Sequence, residues 1–197
     1  MELKPVFDYL NRNLSEYRFR HTVGVSETAK KLAEVYSADA EKAYFAGLLH
    51  DCCKEKSLNE MLDIVKKNQG IVDEFSEKSA ALLHGIAGAW MAKNIFGADD
   101  EVFDAIRYHT TGKADMSLLT KIVYIADYIE PGRNFNGVDE VRKMAYEDID
   151  SAIIKSCSNV IIHTVNKGGI VHPDTVMARN YLLDNNGSGA REKKICK

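Results

Sequence analysis

The chain has 197 residues, of which 45% are hydrophobic and 28% charged, an ordinary composition for one globular domain. The formal net charge of −3 argues against bulk electrostatic binding to nucleic acid or to an anionic membrane. The four cysteines form no C-x-x-C pair, and no apolar run reaches the roughly 18 residues of a membrane span. We therefore expect a cytoplasmic protein with reduced cysteines and no nucleic-acid or membrane partner.

Two segments of different character are expected along the chain. Residues 1–185 are predicted to form a single domain, because no linker or internal repeat interrupts them. Residues 186–197 are polar and contain Gly and Ser, which predicts a disordered tail. The sequence leaves the oligomeric state open, a homodimer included.

Helical periodicity runs through almost the whole sequence and predicts an all-α fold. Capping residues and breakers mark the ends of most helices. In chain order the predicted helices are Tyr17–Tyr36, a helix capped by Asp39 that ends at His50, one opened by the capping box Ser57–Glu60, Ser79–Phe96, one from Asp99 to His109, Ser117–Glu130, Asp148–Lys167 and Asp174–Leu183. Residues 159–165 also suit a strand, but their continuity with helix formers favours a helix.

Four histidines and two aspartates interrupt these apolar patterns. They are His21, His84 and His109 on apolar stripes, His50 beside Asp51 at a helix end, and Asp127 inside an apolar helix. Each alone is best explained as a core residue with a hydrogen-bond partner. Five helices that each direct such a group inward favour one shared divalent cation. Imidazole and carboxylate donors suit iron, manganese, zinc or nickel, and the missing thiolates argue against structural zinc.

The adjacent pair His50-Asp51 needs a particular backbone. Consecutive residues on a helix diverge by about 100°, so they do not normally share a face. Both can reach one metal if the helix ends there, and the following Cys52-Cys53-Lys-Glu segment permits such an ending. Arg18, one turn before His21, is expected to make a structural ion pair.

Several other residues are candidates for substrate contact. The ammonium group of Lys54 can contact a phosphate. Arg133 follows a Pro-Gly turn, and its guanidinium group can form two hydrogen bonds to phosphate oxygens. His84 and His109 can hold a second metal or contact phosphate, and the sequence leaves both options open. Gly168-Gly169 can let the segment 170–175 approach a base or ribose. His163 is interpreted as structural, and the tyrosines Tyr108, Tyr124 and Tyr128 as core and pocket wall.

The motifs HTVGV, LLHDCCK and IADYIEP resemble the H…HD…D signature of the HD-domain superfamily, whose members are all-helical metal-dependent phosphohydrolases. A narrower resemblance covers residues 15 to 183: YRFRHTVGV, AIRYHTTG, IADYIEPGR, GVDEVRKMA and VHPDT are similar to the bacterial YqeK-type symmetrical diadenosine tetraphosphate hydrolases. It implies an iron centre of one or two ions, held by His21, His50, Asp51 and Asp127. It also implies nucleotide contacts from residues 51–54 and from His21, His84, His109, Thr110, Asp127, Arg133, Ile170, Val171, His172, Pro173, Asp174 and Thr175.

The expected reaction is hydrolysis of a dinucleoside polyphosphate to ADP by metal-activated water. Asp51 is expected to ligate the metal and take a proton, and Lys54 to stabilise charge that develops on the phosphates. The alternatives are an HD phosphohydrolase acting on a deoxynucleotide, a guanosine alarmone or a cyclic dinucleotide, the last weakened by the lack of a Gly-Tyr-Pro triplet. A non-catalytic nucleotide sensor and a helical scaffold with coincidental histidines are the other hypotheses.

Overall fold

The computed structural model of the chain describes residues 3–191, with side chains up to Asn185. Over this range the chain forms ten α-helices and one short 3-10 helix, Ser76–Lys78, without a strand. The α-helices are α1 (Lys4–Asn13), α2 (Glu16–Val35), α3 (Ala40–Leu49), α4 (Leu58–Lys67), α5 (Ala80–Phe96), α6 (Asp100–Arg107), α7 (Leu118–Ile129), α8 (Val138–Glu147), α9 (Ile149–Asn166) and α10 (Pro173–Arg191). The all-α prediction is confirmed, including the helical choice for residues 159–165.

Local capping chemistry explains why most of the predicted helix starts are correct. Asp39 accepts a hydrogen bond from the backbone of the first turn of α3, and Ser117 and Asp148 do the same for α7 and α9. Ser57 and Glu60 form the reciprocal capping box that opens α4. Each cap satisfies backbone N–H groups that a helix start leaves without a partner.

Two helices carry weaker start signals and were not predicted. The side chain of Leu3, which precedes α1, makes no capping hydrogen bond. The residue before α8 is Gly137, with a φ of 86° in the left-handed region, and it too provides no side-chain cap. Both helices form because burial of a few apolar residues holds them, Val6 and Leu10 in α1 and a short stripe in α8.

The last helix is longer than the predicted Asp174–Leu183. Helix α10 begins at Pro173, whose fixed φ suits the first helical position, and it continues through residues 184–191. Once a helix is nucleated, each added residue brings one more hydrogen bond, which accounts for the extension. Residues 192–197, the end of the predicted tail, lie outside the described residues, and the division at residue 186 remains a prediction.

The core forms where α2 packs along α3 and α7, and α5 packs against α4 and α6. Close approach of α2 and α3 depends on Gly47, since a Cβ there would lie 2.7 Å from the Cα of Ser26. Helix α9 joins α7, α8 and α10 on another side. None of the helices between residues 3 and 191 has the length and apolar character that a membrane span requires.

Candidate metal centre

Four side chains predicted as metal ligands meet where α2, α3 and α7 pack together. His21 comes from α2, His50 and Asp51 from the end of α3, and Asp127 from α7. The Nε2 atom of His21 lies 3.1 Å from Asp127 Oδ1 and 3.7 Å from Asp51 Oδ2. The Nε2 atom of His50 lies 3.5 Å from Asp51 Oδ2 and 3.9 Å from Asp127 Oδ1. Four helix-derived groups thus converge on one point.

The geometry of the His50-Asp51 pair agrees with the helix ending predicted there. Helix α3 ends at Leu49, and the following segment continues with tighter turns, in which the N–H of Cys52 bonds to Leu49 and that of Lys54 to Asp51. These turns let both side chains of the pair face the same centre.

Backbone carbonyls orient two of the imidazoles. His50 donates its Nδ1–H to the carbonyl of Gly47 at 2.7 Å, and His109 donates in the same way to Ile106 at 2.7 Å. A histidine whose Nδ1 carries the proton presents the lone pair of Nε2 to the opposite side. Both Nε2 lone pairs therefore face the centre, as metal coordination requires.

Glu130, which the sequence analysis did not single out, orients the third imidazole. It is 4% exposed, and its Oε1 accepts from Nδ1–H of His21 at 3.1 Å. Its Oε2 accepts from the backbone N–H of Gly132 at 2.6 Å, which fixes the carboxylate. The signal that could have found it is its position one turn after Asp127 in the same apolar helix.

The donor set fits a divalent cation. The atoms His21 Nε2, His50 Nε2 and Asp51 Oδ1 are buried and make no hydrogen bond of proper geometry, although neighbouring groups lie close. Buried polar atoms rarely remain without a partner unless a water or ion supplies it. Two overlapping groups of ligand atoms have spacings that suit a metal: His21, His50 and Asp127, and His50, Asp51 and His109. A divalent cation satisfies these atoms together.

A second cluster, rich in nitrogen donors, adjoins the first. His84 Nε2 lies 3.0 Å from His109 Nε2 and 3.0 Å from Asp51 Oδ1. The Nζ of Lys54 lies 3.1 Å from the same His84 atom, and the hydroxyl of Thr110 lies 3.1 Å from His109 Nε2. His109 Nε2 also lies 3.6 Å from Asp51 Oδ1, so the two imidazoles and this carboxylate meet at one point, and both a second metal and a phosphate contact remain open for them.

Two arginines form ion pairs with the two aspartates of the first cluster. Arg18 contacts Asp51 Oδ2 at 2.7 Å, which agrees with the expected structural ion pair but places it at the centre. Arg133 contacts Asp127 Oδ1 at 2.5 Å and bonds through Nε to the backbone carbonyl of the same residue. Both arginine side chains keep part of their surface exposed, 20% for Arg18 and 32% for Arg133.

The electrostatic environment keeps the two ligand carboxylates ionised. Burial opposes ionisation of Asp51 and Asp127, but contacts with the surrounding histidines outweigh it and lower the pKa of both carboxyls. Burial lowers the pKa of His84 to about 4, so this imidazole is neutral near pH 7. For His21, burial is outweighed by the carboxylates of Asp127 and Glu130, which raise its pKa.

A cavity of about 230 Å³ opens on this centre. Its polar wall includes four of the predicted contact residues, His109, Thr110, Asp127 and Arg133. Its apolar wall consists of residues that the sequence analysis left without a role or called pocket wall: Tyr124, Tyr128, Phe135 and Val160.

The predicted contact segment 170–175 does not line that cavity. His172 Nε2 lies 3.2 Å from Asp73 Oδ1, and the rings of His172 and Phe75 pack edge to face. Ile170 lines a separate cavity of about 490 Å³ beside the start of α5, the helix that carries His84. Val171 is half-buried, and the remaining three residues of the segment, Pro173, Asp174 and Thr175, form the first turn of α10 because proline favours that position.

The family model of the HD domain matches residues 18–132, a range that contains every candidate ligand of the cluster. This chain belongs to the HD-domain family. The HD-domain match thus confirms the family expected from the order of its histidines and aspartates, and it supports divalent metal binding at the cluster.

The similarity of this chain to known proteins extends well beyond residues 18–132. The chain is 41% identical over 175 residues to "Bis(5'-nucleosyl)-tetraphosphatase, symmetrical" of Bacillus subtilis, covering 88% of this chain and 94% of that protein. It is 43% identical over 172 residues to the protein of the same name in Halalkalibacterium halodurans, covering 87% and 91%.

A solved structure has the same architecture. It is an HD superfamily hydrolase described as involved in NAD metabolism, from Clostridium acetobutylicum. The TM-score is 0.91 at 45% identity, with 94% of this chain and 98% of that chain covered. The all-helical HD fold of this chain is thereby confirmed.

Proposed function

We propose that this protein is a metal-dependent hydrolase that cleaves diadenosine tetraphosphate symmetrically into two molecules of ADP. The observation that carries the proposal is the convergence of unpartnered ligand atoms from His21, His50 and Asp51 beside the donors Lys54 and Arg133. A site of this composition suits a substrate with several phosphates. The named activity of the relatives supports the choice of a dinucleoside tetraphosphate.

The proposed metal ligands are His21, His50, Asp51 and Asp127, and His84 and His109 are the candidates for holding a second ion. The proposed metal is iron, one or two ions, with manganese, nickel and zinc as alternatives that the same donors accept. A cation bound here lowers the pKa of water towards about 7 and polarises a phosphoryl oxygen.

The reaction breaks the bond between the bridging oxygen and one of the two central phosphorus atoms. The oxygen of water joins that phosphorus, and the bridging oxygen leaves with the other ADP. Asp51 Oδ1, which has no hydrogen bond of proper geometry, is positioned to accept a hydrogen bond from the attacking water. The water proton passes to solvent or to the leaving phosphate, whose diphosphate character makes a strong acid catalyst unnecessary.

The cationic side chains stabilise the charge that builds up on the phosphate oxygens. Lys54 is 28% exposed and adjoins neutral His84, so its ammonium can turn towards a phosphate. Arg133 lines the cavity and already lies against Asp127. A cationic donor beside the oxygens that gain charge lowers the barrier to hydrolysis. Lys54 therefore belongs with Asp51 to the proposed catalytic residues.

The first ADP half is assigned to the segment 170–175 and to His84, His109 and Thr110. This assignment rests on the family resemblance and on the cavity beside Ile170, which lies next to the helix that carries His84. The proposed cellular location is the cytoplasm, where nucleotide substrates occur and the cysteines stay reduced.

Hydrolysis in isotopically labelled water tests the proposal. The purified protein should contain about one to two equivalents of transition metal, and each cleavage should give two ADP, one labelled on its terminal phosphate. Release of AMP and ATP, or turnover that chelation leaves intact, would contradict the proposal. Preference for a deoxynucleoside monophosphate or a guanosine alarmone would assign the chain to another HD-domain activity.

A further inference from the structure

A groove leads away from the metal centre on the side of α7 and α9. The cavity at the centre shares three lining residues, Tyr128, Phe135 and Val160, with a larger cavity of about 680 Å³. The larger cavity continues along α8 and α9, where Asn159 is part of its wall. We call the four residues Tyr128, Phe135, Asn159 and Val160 the aromatic groove. Its volume lies in the range of roughly 300–1,000 Å³ that is usual for small-molecule sites.

The chemistry of the aromatic groove suits a flat heterocycle. The rings of Tyr128 and Phe135 meet edge to face with centroids 5.1 Å apart, and Phe135 remains 41% exposed. Asn159 donates to the hydroxyl of Tyr128 at 3.2 Å, which places an amide beside the rings. Nucleobases stack on exposed aromatic rings irrespective of their identity, and amides bond to their edges.

The groove begins at the phosphate-binding end of the site. Arg133 lies two residues before Phe135, and both line the cavity at the metal centre together with Asp127. A phosphate held by Arg133 would therefore have its nucleoside within reach of the Phe135 ring. The cavity beside Ile170 has a different wall, formed by Phe75, Ser79 and Leu82. The two cavities share no lining residue.

We infer that the aromatic groove binds the second nucleoside of the substrate, the half that the segment 170–175 does not hold. The inference rests on the proposed function, because only a dinucleoside substrate has a second nucleoside. Symmetrical cleavage requires the scissile bond at the metal, so the two nucleosides leave the centre in different directions. The aromatic groove continues from the cavity at the centre, whereas the cavity of Ile170 lies elsewhere, beside the start of α5.

The groove makes the enzyme prefer dinucleoside over mononucleoside polyphosphates. Adenosine 5′-tetraphosphate carries the same phosphate chain and one nucleoside, so it is the matched substrate for the test. Replacement of Phe135 by Ala should lower kcat/KM for diadenosine tetraphosphate about ten-fold more than for adenosine 5′-tetraphosphate, the order expected for one lost base–aromatic stack. Phe135→Trp keeps an aromatic face and should preserve the preference.

Two further variants control the measurement. Tyr146→Ala removes a ring of similar exposure, 38%, that lines neither cavity, and it should leave both substrates unaffected. Asn159→Ala is a second variant within the groove and should shift the substrate ratio in the same direction as Phe135→Ala. An equal loss on the two substrates, or no loss on either, in both groove variants would overturn the inference. If the wild-type enzyme released no ADP from diadenosine tetraphosphate, the proposed function itself would fail, and the inference with it.

Discussion

Substitution of Glu130 by Gln should weaken metal binding without unfolding the protein. Glu130 accepts from His21 through one oxygen and from the N–H of Gly132 through the other. Glutamine keeps the volume but replaces one acceptor by an NH2 donor. Either His21 or Gly132 then faces a donor in a buried site, and the imidazole of His21 loses its fixed orientation.

The size of the effect follows from the role of the contact. Partners that orient a ligating histidine are typically worth 10- to 100-fold in metal affinity, which is about 1.4–2.7 kcal/mol. Glu130 is 4% exposed, so solvent cannot replace the lost acceptor. We therefore expect the upper part of this range, and turnover should recover when excess metal is supplied.

The assay is metal content measured against a graded series of chelator concentrations, with helical circular dichroism as the test of folding. Glu147→Gln is the matched control, since its carboxylate is 65% exposed on α8. Glu130→Gln should lose metal at a chelator concentration about 100-fold lower than the wild type and the control. Equal metal retention in all three proteins would refute the orienting role of Glu130.

Other substitutions and a change of pH have defined outcomes. Asp51→Ala should abolish hydrolysis with a near-normal helical spectrum, whereas Lys54→Ala and Arg133→Ala should lower turnover by roughly one to three powers of ten; wild-type rates in Asp51→Ala would contradict the mechanism. Gly47→Ala should cost about 1–3 kcal/mol by separating α2 from α3, visible as a lower melting temperature, and an unchanged melt would show that the helices adjust freely. In the metal-free protein the pKa of His84 is about 4 in the folded chain and about 6.5 in the unfolded chain. Because the unfolded chain binds this proton first, the contribution of His84 to the free energy of unfolding is fully present above about pH 6.5 and is lost as the pH drops towards about 4. Urea titrations at several pH values should show that the free energy of unfolding depends less on pH in His84→Gln than in the wild type. An unaltered pH dependence would contradict the low pKa of His84.

Most helix boundaries follow from local chemistry that a sequence displays. The caps Asp39, Ser57 and Asp148 satisfy backbone groups within their own first turn, so their effect depends little on the rest of the fold. Helix α8 was missed because it follows a left-handed Gly137 and lacks such a cap. Its stability depends on burial against α9, and that packing partner cannot be identified from the segment alone.

The candidate ligand residues were recognisable because their order along the chain is a family pattern and each interrupts an apolar pattern. Their spacing in three dimensions was not, since His21 and Asp127 are far apart in sequence and meet only through the packing of α2 against α7. The orienting role of Glu130 and the place of Arg18 against Asp51 depend on the same packing.

The amino-acid sequence alone was sufficient for the helical class and the HD-domain family, and it named the candidate metal ligands, because periodicity, caps and motif order can be recognised along the chain. The folded chain was needed to show that His84 and His109 meet at Asp51 and that His172 of the segment 170–175 lies beside Asp73 and Phe75. It was also needed to reveal the aromatic groove at Phe135. These features arise from contacts between helices distant in sequence, and such contacts depend on how side-chain volumes fit together throughout the core.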